Sequence, residues 1–458
     1  MKTKRLIGAL LSASVFCSAF CIAAPASAAT HPNLLAGDAN GDGVVNIRDV
    51  TEIQRLLASG TEPDEQTVQV AKTDFAHENL TIEDATNIQR YLAEYDDRNT
   101  REVGKAAFIW RSNKYRPALE EYQRYLDQNL SSFAFNGAAY VTRNGRVLAQ
   151  SAVGTANTAE GKAVEMDTLF PIGSVSKQFC AASVMLLQER GKLSVSDKLS
   201  KYFPEYEIGK NITLHQMLSM RSGIRDYVNT DSSYAGHENP NDEFTLSEDK
   251  TDEENRQIVL DWLFGENLKF TPDKGWSYSN SNYMLLAMIV EKASGEDYHS
   301  FVRKNIFEPL GMSNSSFCAD TLGDPRVCED SSGEDFDSLP YVYKWAYLNT
   351  KGDGDIVSNA ADIDKWLGSL REGTILSKES IAAMTTNYSG TNNYGYGLSL
   401  DGDIVYHGGD ISTFESAALT VPGDNINIFI VTNNAQAAWD KNLSISTVAL
   451  RVAKKVLG

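Results

Sequence analysis

The sequence predicts a multidomain chain in which a small all-α module with a calcium loop precedes one large domain of mixed α and β structure. Two observations support this prediction. A loop rich in acidic and amide side chains at residues 38–49 leads into an amphipathic helix, and the helical segment recurs 35 residues later. Beyond a charged linker, about 350 residues alternate between strand-like and helix-like runs, a length that one large domain can occupy.

Residues 1–28 have the pattern of a secretory signal peptide. Three basic residues within the first five precede an apolar run from Leu6 to Ala24, and the small residues Ala26-Ser27-Ala28 follow. The alternative is an uncleaved membrane anchor, because the run is about long enough to span a bilayer. Small residues dilute the run, however, and the cleavage triplet follows it directly, so we predict cleavage and a secreted, extracellular protein.

The charge balance of the chain argues against two classes of partner. The full chain has 42 Lys and Arg against 61 Asp and Glu, a net charge of −19. Removal of the signal peptide takes away three bases and no acids, which leaves 39 − 61 = −22. Such a surface repels phosphate backbones and anionic lipid. We therefore expect no nucleic-acid partner, and no membrane partner after signal cleavage.

Three cysteines remain after cleavage, too few for a disulfide framework. Cys180 lies in an apolar stretch and is expected in the core. Cys318 and Cys328 lie ten residues apart in a loop-like stretch. A disulfide between them and two unpaired thiols are both consistent with an oxidising compartment.

Residues 38–49 carry oxygen ligands at the spacing that a calcium loop requires. Gly43 occupies the sixth position, where such a loop turns sharply. The six candidate ligands are Asp38, Asn40, Asp42, the carbonyl of Val44, Asn46 and Asp49. The last ligand is Asp where an EF-hand has Glu, which predicts a variant of that geometry. The alternative is an acidic, glycine-rich turn that binds no metal.

The helical segment after Asp49 is repeated after Asp84 almost residue for residue. A calcium loop followed by an amphipathic helix, with the helix repeated, resembles a type I dockerin. The resemblance implies a cohesin domain of a scaffold protein as the partner, structural calcium as the cofactor and attachment to a cell-surface complex. The second loop departs from the pattern, because its first, third and fifth positions hold Thr73, Phe75 and His77. We expect this loop to bind calcium poorly.

These features divide the chain into four parts. They are a signal peptide at 1–28, a dockerin-like module at 29–96, a linker at 97–112 and the large domain at 113–458. The dockerin resemblance itself covers residues 34–96. The linker assignment rests on charged composition without a clear hydrophobic period.

The first half of the large domain combines a hairpin with a Ser-x-x-Lys motif. An Asn-Gly turn at 144–145 between two strand-like runs predicts a β-hairpin. Ser174-Val-Ser-Lys177 leads into a helical run, which places the hydroxyl and the amine one turn apart on one face. A partly desolvated Lys with a lowered pKa can then take the Ser proton. Ser247 and Lys250 have the same spacing, but their acidic surroundings would keep Lys250 charged.

Two further motifs follow in order along the chain. Tyr-x-Asn begins at Tyr227, Tyr278 and Tyr347. Only Tyr278-Ser-Asn280 lies between a loop and an apolar helix, where a side chain can face a cleft. His407-Gly-Gly409 follows one strand-like run and precedes another, so we expect it on or beside an edge strand.

Ser-x-x-Lys at 174, Tyr-x-Asn at 278 and His-Gly-Gly at 407, in this order, resemble the serine β-lactamase and penicillin-binding-protein superfamily. More narrowly they resemble its class C β-lactamase branch, which includes D-amino-acid peptidases and family VIII carboxylesterases. Residues 214–227, 307–312 and 394–398 also look like recurring segments of that branch. The resemblance implies an α/β plus all-α β-lactamase-like domain, in which helices flank an antiparallel sheet and Ser174 opens a central helix.

The resemblance gives the catalytic roles to Ser174, Lys177 and Tyr278. Ser174 would be the nucleophile, and Lys177 would activate it. Tyr278, with its phenolic pKa lowered by Lys177, would relay protons to the leaving group and to the deacylating water. The backbone N–H groups of Ser174 and Asp410 would form the oxyanion hole.

The resemblance gives substrate binding to Asn280, His407, Gly409 and Asp410. Asn280 would hold a substrate amide or carbonyl. His407 replaces the Lys of the commoner Lys-Thr-Gly motif, and Gly408 replaces its hydroxyl residue. Because a His is mostly neutral at pH 7 and Gly has no side-chain donor, recognition of a substrate carboxylate is weakened. This favours neutral esters over penicillins.

We therefore predict a scaffold-docked serine hydrolase that acts through an acyl-enzyme on Ser174. Its type would be a carboxylesterase or a D-amino-acid peptidase related to β-lactamases, with a small ester or amide as substrate. The sequence has no His-x-His, His-Glu-x-x-His or Cys pair that would support a catalytic zinc, and we expect no catalytic metal or organic cofactor. The alternative is a non-catalytic module that binds cell-wall fragments and is anchored by the dockerin.

Overall fold

The computed structural model of the chain describes residues 45–59, 80–93, 116–158, 160–228, 244–330 and 351–457, together with six single positions. Those positions are Gly37, Ala39, Ala71, Trp345, Leu348 and Asn349. The predicted signal peptide, the linker at 97–112 and four candidate calcium ligands lie outside the described residues. The four ligands are Asp38, Asn40, Asp42 and Val44. The chain divides into two compact units, Met1–Lys114 and Tyr115–Gly458.

Two helices of the first unit have both ends within the described residues, and they come from the repeated segment. Helix α1 spans Ile47–Ser59 and helix α2 spans Ile82–Leu92. The helices pack against each other, and their buried apolar residues include Val50, Ile53 and Ile88. Both helices are amphipathic, so each buries one apolar stripe in this small shared core.

Asp49 and Asp84 occupy equivalent positions in the two helices, and both are buried. The backbone N–H of Asn46 donates to Oδ2 of Asp49 over 2.7 Å. In the second helix the N–H of Thr81 donates to Oδ2 of Asp84 over 2.9 Å. The sequence repeat is therefore also a repeat of local structure. Asn46 and Asp49 are the two candidate calcium ligands that lie within the described residues.

The second unit is built on a six-stranded antiparallel sheet with the strand order β2-β1-β11-β10-β9-β8. Its strands are β1 Gly137–Arg143, β2 Arg146–Val153, β8 Ser399–Asp401, β9 Ile404–Ile411, β10 Phe414–Val421 and β11 Ile426–Thr432. The short strands elsewhere are β3 Thr155–Asn157, β4 Lys162–Ala163, β5 Phe170–Pro171, β6 Ser316–Phe317 and β7 Ile356–Ser358. The sheet joins the first two strands of the unit to its last four.

The predicted hairpin is strands β1 and β2. Asn144 and Gly145 both have positive φ, 54° and 72°, as a tight two-residue turn between antiparallel strands requires. At the other side of the sheet, β8 pairs with only the first half of β9, from Ile404 to Tyr406. His407 and the residues after it therefore lie beside the edge strand and beyond its pairing, as the sequence predicts.

Helices flank this sheet and form a separate cluster beside it. In the part of this unit that the structure describes continuously, the helices are α3 Arg116–Leu130, α4 Ser176–Glu189, α5 Leu214–Leu218, α6 Asp252–Gly265, α7 Asn280–Ser294, α8 Tyr298–Val302, α9 Glu308–Leu310, α10 Ala360–Glu372, α11 Lys378–Met384, α12 Ala435–Trp439 and α13 Ile445–Leu457. Helices α3, α10 and α13 pack on the sheet, whereas α4, α5, α7 and α8 pack among themselves. The predicted α/β plus all-α arrangement of this domain is confirmed.

Helix α4 is the centre of the helical cluster. Each of its residues from Ser176 to Leu187 is buried, because other elements surround it on every side. It runs directly from the turn that carries Ser174, so the sequence prediction of a central helix opened by Ser174 holds. No helix among the described residues is long and apolar enough to cross a membrane.

The cysteines at 180, 318 and 328 are buried thiols. Of the two possibilities for Cys318 and Cys328, the structure has the reduced pair. The side-chain amide of Asn433 donates to Sγ of Cys328 over 3.3 Å, and burial raises the pKa of the Cys328 thiol to about 12. A thiol in this environment is a weak nucleophile, so it serves as core packing.

Candidate active site

Ser174 lies in a single 3₁₀ turn, Gly173–Val175, between strand β5 and helix α4. Gly173, at this junction, has a φ of 51°, a backbone conformation that glycine adopts most easily. Ser174 is half-buried at the start of the helix. Its hydroxyl is therefore held at the junction of two regular elements, in a residue that is still partly accessible to solvent.

The serine turn packs directly against strand β9. A methyl group at Gly409 would lie 1.9 Å from the carbonyl oxygen of Ile172, and one at Gly173 would lie 2.9 Å from the backbone nitrogen of Asp410. Glycine at both positions therefore permits the close approach of the two segments. This approach brings the backbone N–H of Asp410 beside the turn that carries Ser174, where the oxyanion hole is predicted.

Strand alternation decides where the Asp410 side chain points. Gly409 faces the serine turn, whereas a methyl group at Gly408 would lie 2.4 Å from Oγ of Ser446 in helix α13. Asp410 shares the face of Gly408. Its cross-strand neighbour Glu415 accepts a hydrogen bond from the N–H of Ile445, the first residue of α13. The carboxylate of Asp410 therefore faces α13, and the residue can serve the site through its backbone alone.

The amine of Lys177 is at the centre of the site. Its Nζ lies 2.9 Å from Oγ of Ser174, 2.7 Å from Oδ1 of Asn280 and 2.6 Å from the carbonyl oxygen of Asp353. The last two oxygens can only accept hydrogen bonds. A neutral amine has two N–H groups for these acceptors and one lone pair. The lone pair then faces the hydroxyl of Ser174, which is the geometry of a general base.

The protonation of Lys177 is tuned by two opposing effects. Complete burial lowers the pKa of the amine, and the nearby carboxylates of Asp353 and Asp226 partly restore it, so that the pKa falls from 10.5 to about 8. A useful fraction of the amine is therefore neutral near pH 8. An exposed lysine would be almost entirely protonated at that pH and unable to accept a proton.

Two buried carboxylates, those of Asp226 and Asp353, lie near the amine of Lys177 and act on its pKa. The side-chain amide nitrogen of Asn280 donates to Oδ2 of Asp226 over 3.1 Å. The hydroxyl of Tyr227 donates to Oδ2 of Asp353 over 2.7 Å. Asn280 thus connects Lys177 to Asp226 with its own amide. In this arrangement Asn280 orients the base, and its predicted contact with a substrate amide stays a prediction.

Tyr278 lies near Lys177 and belongs to an aromatic cluster. Its ring centroid is 5.0 Å from Nζ of Lys177, and it is 6.3 Å and 6.1 Å from the ring centroids of Tyr394 and His407. The ring is half-buried. The structure therefore brings together the three predicted catalytic side chains, Ser174, Lys177 and Tyr278, from two elements far apart in sequence.

His407 is buried and makes two hydrogen bonds. Its Nδ1 lies against the carbonyl oxygen of Gly408, which can only accept, so we assign the ring proton to Nδ1. Nε2 then accepts from the hydroxyl of Tyr394 over 2.9 Å. Burial and the positive charge of Lys177 lower the pKa of His407 to about 3. This side chain is neutral at physiological pH and offers a substrate no positive charge.

Comparison with known proteins agrees with this geometry. A family profile described as Beta-lactamase matches residues 123–451 of the chain. The chain belongs to the beta-lactamase family. The matched residues include all three motifs, which begin at Ser174, Tyr278 and His407.

Several individual beta-lactamase-like proteins are similar to this chain in sequence or in structure. Penicillin-binding protein 4* of Bacillus subtilis (strain 168) is 29% identical over 297 residues, 60% of this chain and 63% of that protein, so the chain spans less than two thirds of that relative's length. The octameric penicillin-binding protein homologue from Pyrococcus abyssi superposes with a TM-score of 0.59 and 25% identity, covering 74% of this chain and 77% of that one. The D-amino acid amidase from Ochrobactrum anthropi SV3 shares the fold, with a TM-score of 0.58 and 22% identity over 74% of this chain and 100% of that one.

Sequence reasoning missed three members of the site in this beta-lactamase family domain: Asp226, Tyr227 and Asp353. Tyr227 begins one of the Tyr-x-Asn copies that the sequence analysis set aside, and its hydroxyl supports the carboxylate of Asp353 instead of facing the cleft. Asp226 and Tyr227 end the segment 214–227, which resembles a recurring family segment. That resemblance is the signal that could have indicated these two residues. Among the described residues, no group of three or more His, Cys, Asp or Glu side chains is placed to hold a metal ion.

The pKa of Lys177 predicts the pH dependence of the reaction. The neutral amine is the active form, so kcat/KM for a neutral ester should rise with pH, with its midpoint near pH 8. His407 should add no second step between pH 5 and 9, because its pKa is about 3. Initial rates measured across that range test this expectation, and an inflection near pH 6.5 without one near pH 8 would contradict it.

Replacement of Asp226 by Asn gives the pH profile an internal check. The carboxylate of Asp226 raises the pKa of Lys177. Its removal should therefore move the midpoint of the profile to lower pH. Asp261→Asn is the matched control, because Asp261 is an exposed acid of helix α6 and its loss should leave the midpoint unchanged. A midpoint that moves equally in both variants would mean that overall charge, rather than Asp226, sets it.

Proposed function

We propose that the chain is a serine hydrolase that transfers an acyl group to water through an acyl-enzyme on Ser174. The observation that carries this proposal is the 2.9 Å contact between Oγ of Ser174 and the buried Nζ of Lys177, whose pKa falls to about 8. A serine next to a permanently charged lysine would not be activated. A serine next to a partly neutral amine can lose its proton to that amine as it attacks a carbonyl.

The reaction would proceed in two halves. Neutral Lys177 takes the proton of Ser174, Oγ bonds to the substrate carbonyl carbon, and the N–H groups of Ser174 and Asp410 stabilise the oxyanion. The proton now on Lys177 passes through Tyr278 to the leaving group as the bond to it breaks. Water then attacks the acyl-enzyme with the same groups acting in reverse, which releases the acid and restores Ser174.

Carboxylic esters that are neutral around the reacting carbonyl are the substrate class that we propose. In strand β9, where the resemblance places recognition of a substrate carboxylate, the chain has neutral His407 followed by the side-chain-free Gly408. Neither compensates the cost of burying a carboxylate. D-amino-acid peptides rank second and β-lactams third, because both carry a carboxylate close to the scissile bond.

The experiment compares three substrates at equal enzyme concentration. We expect p-nitrophenyl acetate to be hydrolysed with a higher kcat/KM than a peptide ending in D-Ala or a cephalosporin reporter. Release of D-Ala far faster than hydrolysis of acetyl or aryl esters would overturn the ester proposal in favour of a peptidase. No turnover of any of the three would favour the non-catalytic alternative, a module that binds wall fragments.

We also propose that the first unit is a calcium-binding dockerin that attaches the secreted enzyme to a cohesin on a cell-surface scaffold. Support comes from paired exposed apolar residues at equivalent places in the repeat. Ile47 and Ile82 are 59% and 56% exposed, and Leu57 and Leu92 are each 40% exposed. Exposed apolar side chains in such a small unit are typical of a protein-binding face.

Calcium binding by the first unit can be measured by hydrogen–deuterium exchange of the full chain. Calcium should slow exchange within residues 29–96 and leave the second unit unchanged, because a structural ion stabilises the unit that binds it. Asp42→Ala should remove the effect. Equal exchange with calcium and with chelator in the unsubstituted chain would refute the calcium site.

A further inference from the structure

A pocket of about 340 Å³ lies between the loop that leads to Tyr278 and the loop at residues 388–392. The catalytic steps proposed above do not use it. The residues that line it include Arg221, Asp273, Lys274, Trp276, Tyr388 and Asn392. Aromatic rings with cationic and amide groups form a lining that can bind a planar or ring-shaped polar group.

The pocket adjoins the aromatic cluster that contains Tyr278. Its residue Trp276 has its ring centroid 6.0 Å from that of Tyr394, and Tyr394 is in ring contact with Tyr278 at 6.3 Å. In the proposed reaction Tyr278 gives its proton to the leaving group. A leaving group that takes its proton from Tyr278 and continues past Tyr394 would reach Trp276.

The aromatic side of the pocket is held in place by other rings. Tyr388 stacks on Tyr396 with centroids 4.8 Å apart and an angle of 19° between the rings. It also meets the edge of His215 at 4.7 Å and 90°. Packing of this kind fixes a ring in one orientation before any ligand arrives.

The opposite side is a fixed turn. Asp273 has a φ of 67°, which is uncommon for a residue other than glycine. Its N–H donates to the carbonyl oxygen of Arg221 over 3.0 Å, and the guanidinium of Arg221 donates to the carbonyl oxygen of Asp273 over 3.2 Å. These two bonds hold the turn that precedes Lys274 and Trp276.

The pocket carries one uncompensated positive charge. The carboxylate of Asp273 is engaged by Arg221 at 3.3 Å and by the side-chain amide of Gln216 at 2.5 Å. Lys274 is exposed, and its ammonium has no ion-pair partner among the residues that the structure describes. One Arg and one Lys against one Asp leave a charge of +1 in a protein whose net charge is −19.

We propose that this pocket is a subsite for a leaving group that carries a carboxylate on a ring. The ring would lie against Trp276 and Tyr388, and the carboxylate would pair with Lys274. The inference rests on the proposed acyl transfer and names its substrate class: esters of hydroxylated ring acids, which include sugar acids and aromatic hydroxy acids. Lys274 would thus supply, farther from the scissile bond, the positive charge that the site near His407 lacks.

The test uses two matched pairs of acetyl esters and follows release of acetate. One pair is 4-acetoxybenzoate and its methyl ester, and the other is an O-acetylated methyl glucuronoside and the corresponding glucoside. We expect kcat/KM about tenfold higher for the acid of at least one pair, mainly through KM, which is the effect of one charge-assisted hydrogen bond. The pair that shows the preference distinguishes an aromatic acid from a sugar acid.

Lys274→Ala should abolish this preference and leave the neutral esters unaffected, and Lys274→Arg should keep it. Lys441→Ala is the matched control, because it removes the same charge from an exposed position that does not line the pocket. Equal rates for both members of both pairs, or a preference that survives in Lys274→Ala, would overturn the subsite.

A binding measurement separates failure of the subsite from failure of the proposed reaction. Calorimetric titration of a Ser174→Ala variant with 4-hydroxybenzoate and with methyl glucuronoside requires no chemistry. Binding of either acid that is lost with Lys274→Ala supports the subsite even if no ester is turned over. Absence of binding by both acids, together with rapid hydrolysis of p-nitrophenyl acetate, would reject the subsite and leave the hydrolase intact.

Discussion

Replacement of Lys177 by Met is expected to lower kcat/KM for p-nitrophenyl acetate by about 10³-fold, the usual effect of losing a general base. The substitution preserves most of the side-chain volume in a fully buried position and removes the amine alone. Ser174 then keeps its place at the start of helix α4 but has no group to accept its proton. The loss should appear in kcat more than in KM, because the amine acts on the reacting atoms.

The chain provides its own control for this substitution. Ser247 and Lys250 have the same spacing as Ser174 and Lys177, and Lys250 is exposed. Lys250→Met should leave kcat/KM unchanged. Thermal unfolding of the Lys177→Met protein checks its fold, because the change leaves the acceptors on Asn280 and Asp353 without their N–H donor. A folded Lys177→Met protein with undiminished activity would remove Lys177 from the mechanism.

Replacement of Gly409 by Ala is expected to lower kcat by about 10² to 10³-fold, which is the effect of losing one oxyanion-hole donor. The new methyl group would lie 1.9 Å from the carbonyl oxygen of Ile172, so strand β9 and the serine turn must separate. Separation moves the N–H of Asp410 away from Ser174. The position of the new Cβ is fixed by the backbone of residue 409, and the Ile172 oxygen is itself a backbone atom. No side-chain rotation relieves the clash, and we expect a loss of about 1–3 kcal/mol of stability as well.

Gly423→Ala is the matched control for Gly409→Ala. Gly423 lies in the turn after strand β10, and a methyl group there meets no atom within 4 Å. Activity and thermal stability should both match the unsubstituted protein. The measurement is kcat with p-nitrophenyl acetate at saturation, and full activity in a folded Gly409→Ala protein would show that the close approach of β9 is not required.

The central elements of the site could be predicted from sequence because local geometry determines them. A spacing of three residues places Ser174 and Lys177 on one face of a helix, whatever the rest of the fold does. The Asn-Gly pair at 144–145 likewise determines the hairpin turn between β1 and β2. Such features depend on a few neighbouring residues, and they can therefore be predicted from the sequence alone.

The support around Lys177 could not be predicted in the same way. The carbonyl oxygen of Asp353 that accepts from Lys177 lies 176 residues away in sequence, and every residue has a carbonyl. No residue type marks such a contact in advance. The pairing of β1 with β11, which joins the two ends of the large domain, could not be predicted from local sequence either. The register of the two strands is known only once the sheet is formed.

The side chain of Asn280 has neighbours that its motif alone does not specify. The resemblance predicts that Asn280 contacts substrate, which stays a prediction, and the structure adds that its amide lies between Lys177 and Asp226. The amide of Asn280 has one carbonyl and one NH₂ group. Each of these groups already has a hydrogen-bond partner within the protein. A substrate would have to share or displace one of them.

The most direct test of Ser174 as the nucleophile is the mass of the protein after reaction with a fluorophosphonate probe. We expect one label per chain in the unsubstituted protein, located by peptide mapping on Ser174, with loss of p-nitrophenyl acetate hydrolysis in step with labelling. We expect no label and no turnover in Ser174→Ala. Labelling or hydrolysis that persists in Ser174→Ala, or an unsubstituted protein that takes up no label, would contradict the claim that Ser174 is an activated nucleophile.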